Sequence, residues 1–161
     1  MRVKKKFLRF LPYSRQSIDK QDILEVNKIL TKDFITQGPK INEFEKNFAN
    51  YVGAKYAVAC ATGTSALHIA CQSLNLGKNG NLLTSPITFV ASANCAQFVG
   101  ANTHFADIEL NNYCISPNSL EKTLKKKNID IVVVVHMSGH SADMVKINYL
   151  KKKYNFKIIE D

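Results

Sequence analysis

The stretch that decides the fold of this 161-residue chain is Cys60-Ala61-Thr62-Gly63-Thr64-Ser65-Ala66-Leu67-His68-Ile69-Ala70-Cys71. It is preceded by the apolar run 56–60, which has the length of a strand. After it, Leu67, Ala70, Cys71 and Leu74 recur at the spacing of one buried helix face. The stretch therefore predicts a strand, a tight corner and the start of a helix.

The corner itself consists of Thr62-Gly63-Thr64-Ser65. A helix N-terminus carries unpaired N–H groups and the positive end of the helix dipole, and Gly63 would let a ligand approach the backbone. Such a corner is typical of a phosphate site. The alternative is that Thr64 or Ser65 simply caps the helix.

Strand and helix patterns alternate along the rest of the chain. Residues 131–135 are apolar without alternation, which predicts a strand buried on both faces, as in a parallel sheet. The other predicted strands are 82–84, 103–107 and 156–161, and the predicted helices are 64–74, 91–99, 117–126 and one beginning after Asp143. The order indicates an α/β fold with a largely parallel sheet between two helix layers.

Two helices are predicted before this region. Asp19 is the expected N-cap of the first, which has Ile23, Val26 and Leu30 on its apolar face; the second covers 40–52. The inward residues expected in the second helix are Ile41, Phe44, Phe48 and either Tyr51 or Val52, and Gly53 follows its end.

The composition is that of an ordinary globular protein, with 45% hydrophobic and 22% charged residues. The net charge of +9 suggests nucleic-acid binding, but the lysine clusters 4–6, 125–127 and 151–153 are separated, and no nucleic-acid motif accompanies them. A solvated surface is the better interpretation. A basic binding domain without enzymatic activity remains an alternative.

No apolar run is long enough for a membrane span or a signal peptide, so we expect a cytoplasmic protein. The four cysteines lack a C-x-x-C spacing and lie in apolar patterns, which predicts reduced core thiols; they are Cys60, Cys71, Cys95 and Cys114. The chain stops where its last predicted strand stops. We therefore expect it to be the N-terminal part of a longer protein.

An ordered set of motifs resembles the DegT/DnrJ/EryC1/StrS family of sugar aminotransferases, and in particular its branch that aminates a UDP-linked keto-deoxy sugar for pseudaminic acid. The resemblance extends from about Pro12 to the last residue. The matching segments are Thr36-Gln37-Gly38-Pro39, Phe44-Glu45, Tyr51-Val52-Gly53-Ala54-Lys55-Tyr56-Ala57-Val58, Thr62-Gly63-Thr64-Ser65-Ala66-Leu67-His68, Ser85-Pro86-Ile87-Thr88-Phe89-Val90-Ala91-Ser92-Ala93-Asn94, Phe105-Ala106-Asp107-Ile108, Val135-His136-Met137-Ser138-Gly139 and Ile158-Ile159-Glu160-Asp161.

The resemblance implies a fold-type-I enzyme that uses pyridoxal 5′-phosphate, of which this chain would be the N-terminal part of the large domain. Gly63, Thr64 and Ser65 would hold the cofactor phosphate. Phe89 matches the aromatic residue that stacks on the pyridine ring, although by itself it could be a core residue. Asp161 matches the carboxylate that pairs with the pyridine nitrogen, although by itself it could be a surface acid at a strand end.

The resemblance also implies partners: a nucleotide sugar, an amino-acid donor such as glutamate, and a second subunit of a homodimer. Residues matching the sugar-nucleotide pocket are Tyr13, Asp33, Phe34, Ile35 and Thr36. We expect an extended segment over 1–18 and a partial cofactor-binding domain over 19–161.

The chain departs from the family pattern in one respect. The lysine that forms the Schiff base lies in the family a few tens of residues beyond the match to Asp161, so no catalytic residue is assigned and the chain alone is expected to be inactive. A related sugar dehydratase, in which histidine replaces that lysine, stays open. His136 and His140 do not share a helix face, so a metal site is not expected, and His136 is expected to pack beneath the cofactor site.

Overall fold

A computed structural model describes residue 12, residues 14–32 and residues 34–161. The chain divides into two compact units, the first ending at Ala59 and the second covering Cys60–Asp161. None of the helices in these described ranges is both long and apolar enough to cross a membrane.

The first unit contains two helices, α1 (Lys20–Leu30) and α2 (Pro39–Val52). Asp19 caps α1 as predicted: its side chain accepts the N–H of Asp22, and the Asp22 carboxylate accepts the N–H of Asp19. Helix α2 begins after Gly38 with Pro39 and ends at Gly53, which has a φ of 68°.

The apolar faces of α1 and α2 are largely exposed, which corrects the expectation that they point inward. Ile23 is 54% exposed and Phe44 58%, and Ala49 is the one buried residue among those described in this unit. Two helices without a sheet have little surface against which to bury an apolar face. Their sequence pattern nevertheless correctly predicted where both helices form.

Residues 56–60 are not a strand, contrary to the prediction. A strand requires a ladder of backbone hydrogen bonds with a neighbour, and the four strands of the sheet do not pair with this segment. The Ala59 N–H instead donates to Oε1 of Glu45 at 2.8 Å. The run is apolar enough for a strand but has no ladder partner in the described chain.

The second unit alternates strands and helices as predicted. Its elements are α3 (Gly63–Ser73), β1 (Asn81–Thr84), α4 (Ala91–Phe98), β2 (Asn102–Phe105), α5 (Pro117–Leu124), β3 (Ile131–Val134), α6 (Met144–Tyr154) and β4 (Lys157–Glu160), with a short 3₁₀ turn at Met137–Gly139. Side-chain caps begin α5 and α6, because Ser116 and Asp143 each accept a backbone N–H three residues further on.

The four strands form one parallel sheet in the order β2-β1-β3-β4. Strand β3 lies inside the sheet and all four of its residues are buried, as its unbroken apolar sequence predicted. Alternate residues of β3 face opposite cores: Val133 packs with α3 and α4, whereas Val132 packs with α5 and α6. The result is the predicted three-layer αβα arrangement.

Candidate functional site

The carboxyl edge of the sheet is the part of the second unit where a ligand is expected. In an open parallel sheet, ligands bind at the carboxyl ends of the strands, near the point where the strand order reverses. That point lies between β1 and β3, because the chain proceeds from β1 to β2 on one side and then crosses to β3 on the other. Asp161 directly follows β4, and Ser85 directly follows β1.

Thr62 shapes the N-terminus of α3. Its Oγ1 accepts the N–H of Ser65 at 3.1 Å and lies 3.0 Å from the Ser65 hydroxyl. The alternative in which Thr64 or Ser65 caps this helix is therefore wrong, since the cap lies one residue before Gly63. The hydroxyl of Thr64 is not used as a cap and is available to a ligand.

The first turn of α3 has the donors that a phosphate requires. The N–H groups of Gly63 and Thr64 have no acceptor within the part of the chain that the structure describes. A Cβ atom at Gly63 would meet nothing within 4 Å, so the space beside this backbone is open. The dipole of an 11-residue helix adds to the attraction for an anion.

Phe89 precedes α4, which packs against α3 on the same face of the sheet. Its side chain is 74% exposed, so the interpretation of Phe89 as an ordinary core residue is wrong. An aromatic ring exposed at the start of α4 is available to stack on a flat ligand.

Asp161 is held by two backbone hydrogen bonds to the end of the neighbouring strand β3 and the residues after it. Its N–H donates to the carbonyl of Val134, and its carbonyl accepts the N–H of His136, each at 2.8 Å. Its carboxylate Oδ2 accepts the hydroxyl of Ser92 at 2.5 Å. This short distance is typical of a hydrogen bond between a hydroxyl and an ionised carboxylate.

Ser92 and Thr88 are residues of this site that the sequence prediction missed as functional. Their hydroxyls lie 3.0 Å apart, and the Ser85 hydroxyl nearby in the chain is buried without a hydrogen-bond partner in the described structure. The sequence did contain one indication of their role. Residues 88 and 92 both carry hydroxyls, flank Phe89 and are one helical turn apart, so their side chains can face each other.

The backbone N–H of His136 donates to the Asp161 carbonyl, but the His136 ring contacts Glu160, the last residue of β4. The His136 Nδ1 accepts the N–H of Ala142 at 3.1 Å, which leaves Nε2 as the protonated nitrogen, 3.0 Å from Glu160 Oε2. Strand alternation places the Glu160 and Asp161 side chains on opposite faces. The described residues contain no group of three His, Cys, Asp or Glu side chains that could hold a metal.

The residues predicted to bind the sugar nucleotide belong to the first unit. Phe34 and Ile35 line a cavity of about 380 Å³ between the end of α1 and the start of α2. Thr36 is exposed beside them in sequence and does not line this cavity. Tyr13 and Asp33 lie outside the described residues.

Two thiols, Cys71 on α3 and Cys95 on α4, are buried in the same hydrophobic cluster. The neighbouring Cys95 thiol and burial raise the pKa of the Cys71 thiol above its ordinary value. Cys95 and Cys114 are buried as predicted, whereas Cys60 is exposed, which corrects its prediction as a core residue.

A family model matches most of the chain. Residues 16–161 match the model of the DegT/DnrJ/EryC1/StrS aminotransferase family. The chain belongs to this family of aminotransferases.

Two curated relatives extend the comparison. The chain is 41% identical over 153 residues to the UDP-4-amino-4,6-dideoxy-N-acetyl-beta-L-altrosamine transaminase of Campylobacter jejuni, covering 94% of the chain and 40% of the relative. It is 40% identical over 152 residues to the spore coat polysaccharide biosynthesis protein SpsC of Bacillus subtilis, covering 94% and 39%. The chain thus spans about two fifths of the length of these relatives.

Solved structures agree with the fold. An aminotransferase from Psychrobacter cryohalolentis superposes with a TM-score of 0.84 at 32% identity, covering 93% of this chain and 38% of that one. NtdA of Bacillus subtilis, solved with its cofactor pyridoxamine phosphate, gives a TM-score of 0.81 at 26% identity, covering 89% and 34%. The α/β fold class and pyridoxal phosphate as the cofactor of this family are therefore confirmed.

Proposed function

We propose that this chain belongs to a pyridoxal-phosphate-dependent sugar aminotransferase and that its residues contact the phosphate and the pyridine ring of the cofactor. The observation that supports this most directly is the Asp161 carboxylate, fixed at the carboxyl edge of the sheet with one oxygen still without a partner in the described structure. A carboxylate in that place suits a protonated pyridine nitrogen.

Each proposed cofactor contact has a distinct task. The N–H groups of Gly63 and Thr64, with the hydroxyls of Thr64 and Ser65, bind the phosphate. Phe89 covers one face of the ring and excludes water from it. Asp161 holds the proton on the pyridine nitrogen; the cofactor, when bound, serves as an electron sink for carbanion chemistry.

The proposed substrates are an amino-acid donor, with glutamate as the first choice, and a nucleotide-linked keto-deoxy sugar as acceptor. The 41% identity to a transaminase named for a UDP-linked amino sugar supports this acceptor class. The cavity lined by Phe34 and Ile35, which also has Lys32 and Lys40 in its wall, offers a surface for part of the nucleotide sugar. The likeness to SpsC supports a role in making surface polysaccharides.

We further propose that the working enzyme is a cytoplasmic homodimer and that residues 1–161 are inactive by themselves. The exposed apolar faces of α1 and α2 support a larger assembly, because such faces are stabilised by burial. The remaining three fifths of the relatives, which have no counterpart in these 161 residues, would complete the site.

A chimaera tests the proposal. The present chain replaces the matching segment of the Campylobacter jejuni transaminase, and the purified chimaera receives pyridoxal phosphate, glutamate and the UDP-linked 4-keto sugar. We expect the amino sugar as product, detected by mass spectrometry, and a rate at least about a hundredfold lower in the Asp161→Asn chimaera.

Two outcomes of this experiment would contradict the proposal. A folded chimaera that binds no cofactor, or an Asp161→Asn chimaera as fast as the unaltered one, would refute the assignment of the cofactor site.

A further inference from the structure

The side chains of Thr88, Ser92 and Asp161 form a continuous series of hydrogen bonds at the carboxyl edge of the sheet, here called the relay. The Ser92 hydroxyl lies 2.5 Å from Asp161 Oδ2 and 3.0 Å from the Thr88 hydroxyl. Ser92 has a single hydroxyl proton, and the ionised carboxylate can only accept. Ser92 therefore donates to Asp161, and Thr88 must donate to Ser92.

The middle member of the relay is almost completely buried. Ser92 is 1% exposed in the first turn of α4, whereas the Asp161 residue that it contacts is exposed. The Asp161 backbone is already fixed by the hydrogen bonds to Val134 and His136, so the side-chain torsions are its remaining freedom. The hydroxyl of Ser92 restrains those torsions by holding Oδ2.

The relay also connects two parts of the proposed cofactor site. Thr88 directly precedes Phe89, and the Ser92 N–H donates to the Phe89 carbonyl at 3.1 Å. The segment that carries the stacking ring is thus joined through Ser92 to the carboxylate that is 69 residues away. Hydrogen bonds in such a chain polarise and strengthen one another.

We propose that Ser92 is a positioning residue that aims Asp161 Oδ1 at the pyridine nitrogen of the cofactor, and that Thr88 supports it. This inference rests on the proposed function, because the cofactor must bind at this edge. Ser92 acts through Asp161 and touches neither the cofactor nor the substrate.

A double-mutant cycle on the full 161-residue chain separates positioning from ordinary packing. The affinity for pyridoxal phosphate is measured by absorbance and fluorescence titration for the unaltered chain and for Ser92→Ala, Asp161→Asn and the double variant. We expect Ser92→Ala to weaken binding about 3- to 30-fold when Asp161 is present and to have no effect in the Asp161→Asn background.

Two further variants calibrate the effect. Thr88→Val should weaken binding in the same direction but less, since the bond between Ser92 and Asp161 remains. Ser73→Ala is the matched control, because its hydroxyl bonds only to the Ala70 carbonyl at the far end of α3, and it should leave binding unchanged. Alanine is a good helix former, so Ser92→Ala is expected to fold, as circular dichroism will verify.

Nuclear magnetic resonance provides a second measurement, which does not depend on the affinity for the cofactor. With ¹⁵N-labelled pyridoxal phosphate, the pyridine nitrogen resonance of the unaltered chain should report a protonated nitrogen, and that of Ser92→Ala should move toward the unprotonated position. In the ligand-free chain, the Ser92 hydroxyl proton should resonate downfield and vanish in Asp161→Asn.

The outcomes distinguish failure of the proposed cofactor site from failure of the positioning role of Ser92. If neither the unaltered chain nor the unaltered chimaera binds the cofactor at millimolar concentration, the proposed function of this site fails together with the positioning role; if only the chimaera binds it, the same cycle is measured in the chimaera. If the unaltered chain binds it, but Ser92→Ala binds equally well or weakens both Asp161 backgrounds to the same extent, the positioning role alone is overturned.

Discussion

The hydroxyls of Thr62 and Ser65 lie 3.0 Å apart, while the Ser65 N–H donates to the same Thr62 oxygen. The N-cap thereby uses the third residue of α3 twice, through its backbone and through its side chain. The first two N–H groups of the helix, on Gly63 and Thr64, remain free of any acceptor in the described structure. One threonine thus both begins the helix and leaves its first two N–H donors without an acceptor in the described structure.

Replacing Thr62 by valine should destabilise the chain by about 1 kcal/mol, because the helix loses its N-cap hydrogen bond. Thr62→Ser keeps the hydroxyl and should retain most of the stability. The measurement is the free energy of unfolding in urea for both variants. Equal stability of the valine and serine variants would contradict the cap assignment.

Replacing Phe89 by alanine should have little effect on stability, within about 0.5 kcal/mol, since the ring is largely exposed. Its affinity for pyridoxal phosphate should fall about 2- to 10-fold through loss of ring stacking. The control is Phe98→Ala, which removes a ring that contacts His68 with centroids 5.4 Å apart. A clear loss of stability without a change in binding in Phe89→Ala would disprove the stacking role.

His104 should make the chain less stable in mild acid. Burial and the nearby charge of Lys127 lower the pKa of His104 below its ordinary value of 6.5. Its Nδ1 accepts a hydrogen bond from the Lys127 ammonium at 3.2 Å, and its Nε2 donates to Asn81 at 3.0 Å, so the folded form prefers the neutral ring.

The sign of the effect follows from proton uptake. Below about pH 6.5 the unfolded chain binds a proton at this position more readily than the folded chain, so the free energy of unfolding falls as the pH falls. Urea titrations at pH 7.5 and 5.0 should show a smaller loss in His104→Gln than in the unaltered chain. His140→Gln, at an exposed histidine, should retain the full loss.

One thiol of the four should react rapidly with a thiol reagent in the native chain. Cys60 is exposed, whereas Cys71, Cys95 and Cys114 are buried, and the raised pKa of Cys71 further reduces its thiolate. Titration with a disulfide reagent should yield one fast equivalent, lost in Cys60→Ser, and four equivalents in denaturant. Two or more fast equivalents would show that at least one of the three buried thiols becomes accessible readily in the native chain.

The parts of the fold that sequence could predict are those decided by local pattern. Strand β3 is recognisable because residues 131–134 are apolar without interruption, and α1 because Asp19 and Asp22 form a capping box. Residues 56–60 misled the prediction because strand formation depends on a partner, and the local sequence contains no information about whether one is present.

The same limit applies to the site. The N-terminus of α3 could be expected as an anion site from a dozen consecutive residues. The contact between Ser92 and Asp161 could not, because it joins residues 69 apart and depends on how α4 lies over the sheet. The roles of Gly63, Thr64, Ser65, Phe89 and Asp161 themselves stay predictions until a ligand is bound.

The pairing of β1 with β3 has a consequence for how the chain is made. Leu82 pairs with Ile131, and the hydrogen bonds from Asn81 to Asp130 and from Thr84 to Val133 each span 49 residues. At ribosomal speeds of about 5 to 20 residues per second, β1 waits roughly 2 to 10 seconds for its partner. During that interval Leu82 and Leu83, which end up fully buried, have neither β3 nor the far helix layer to cover them. The nascent chain is therefore most in need of chaperone protection between the synthesis of β1 and that of β3.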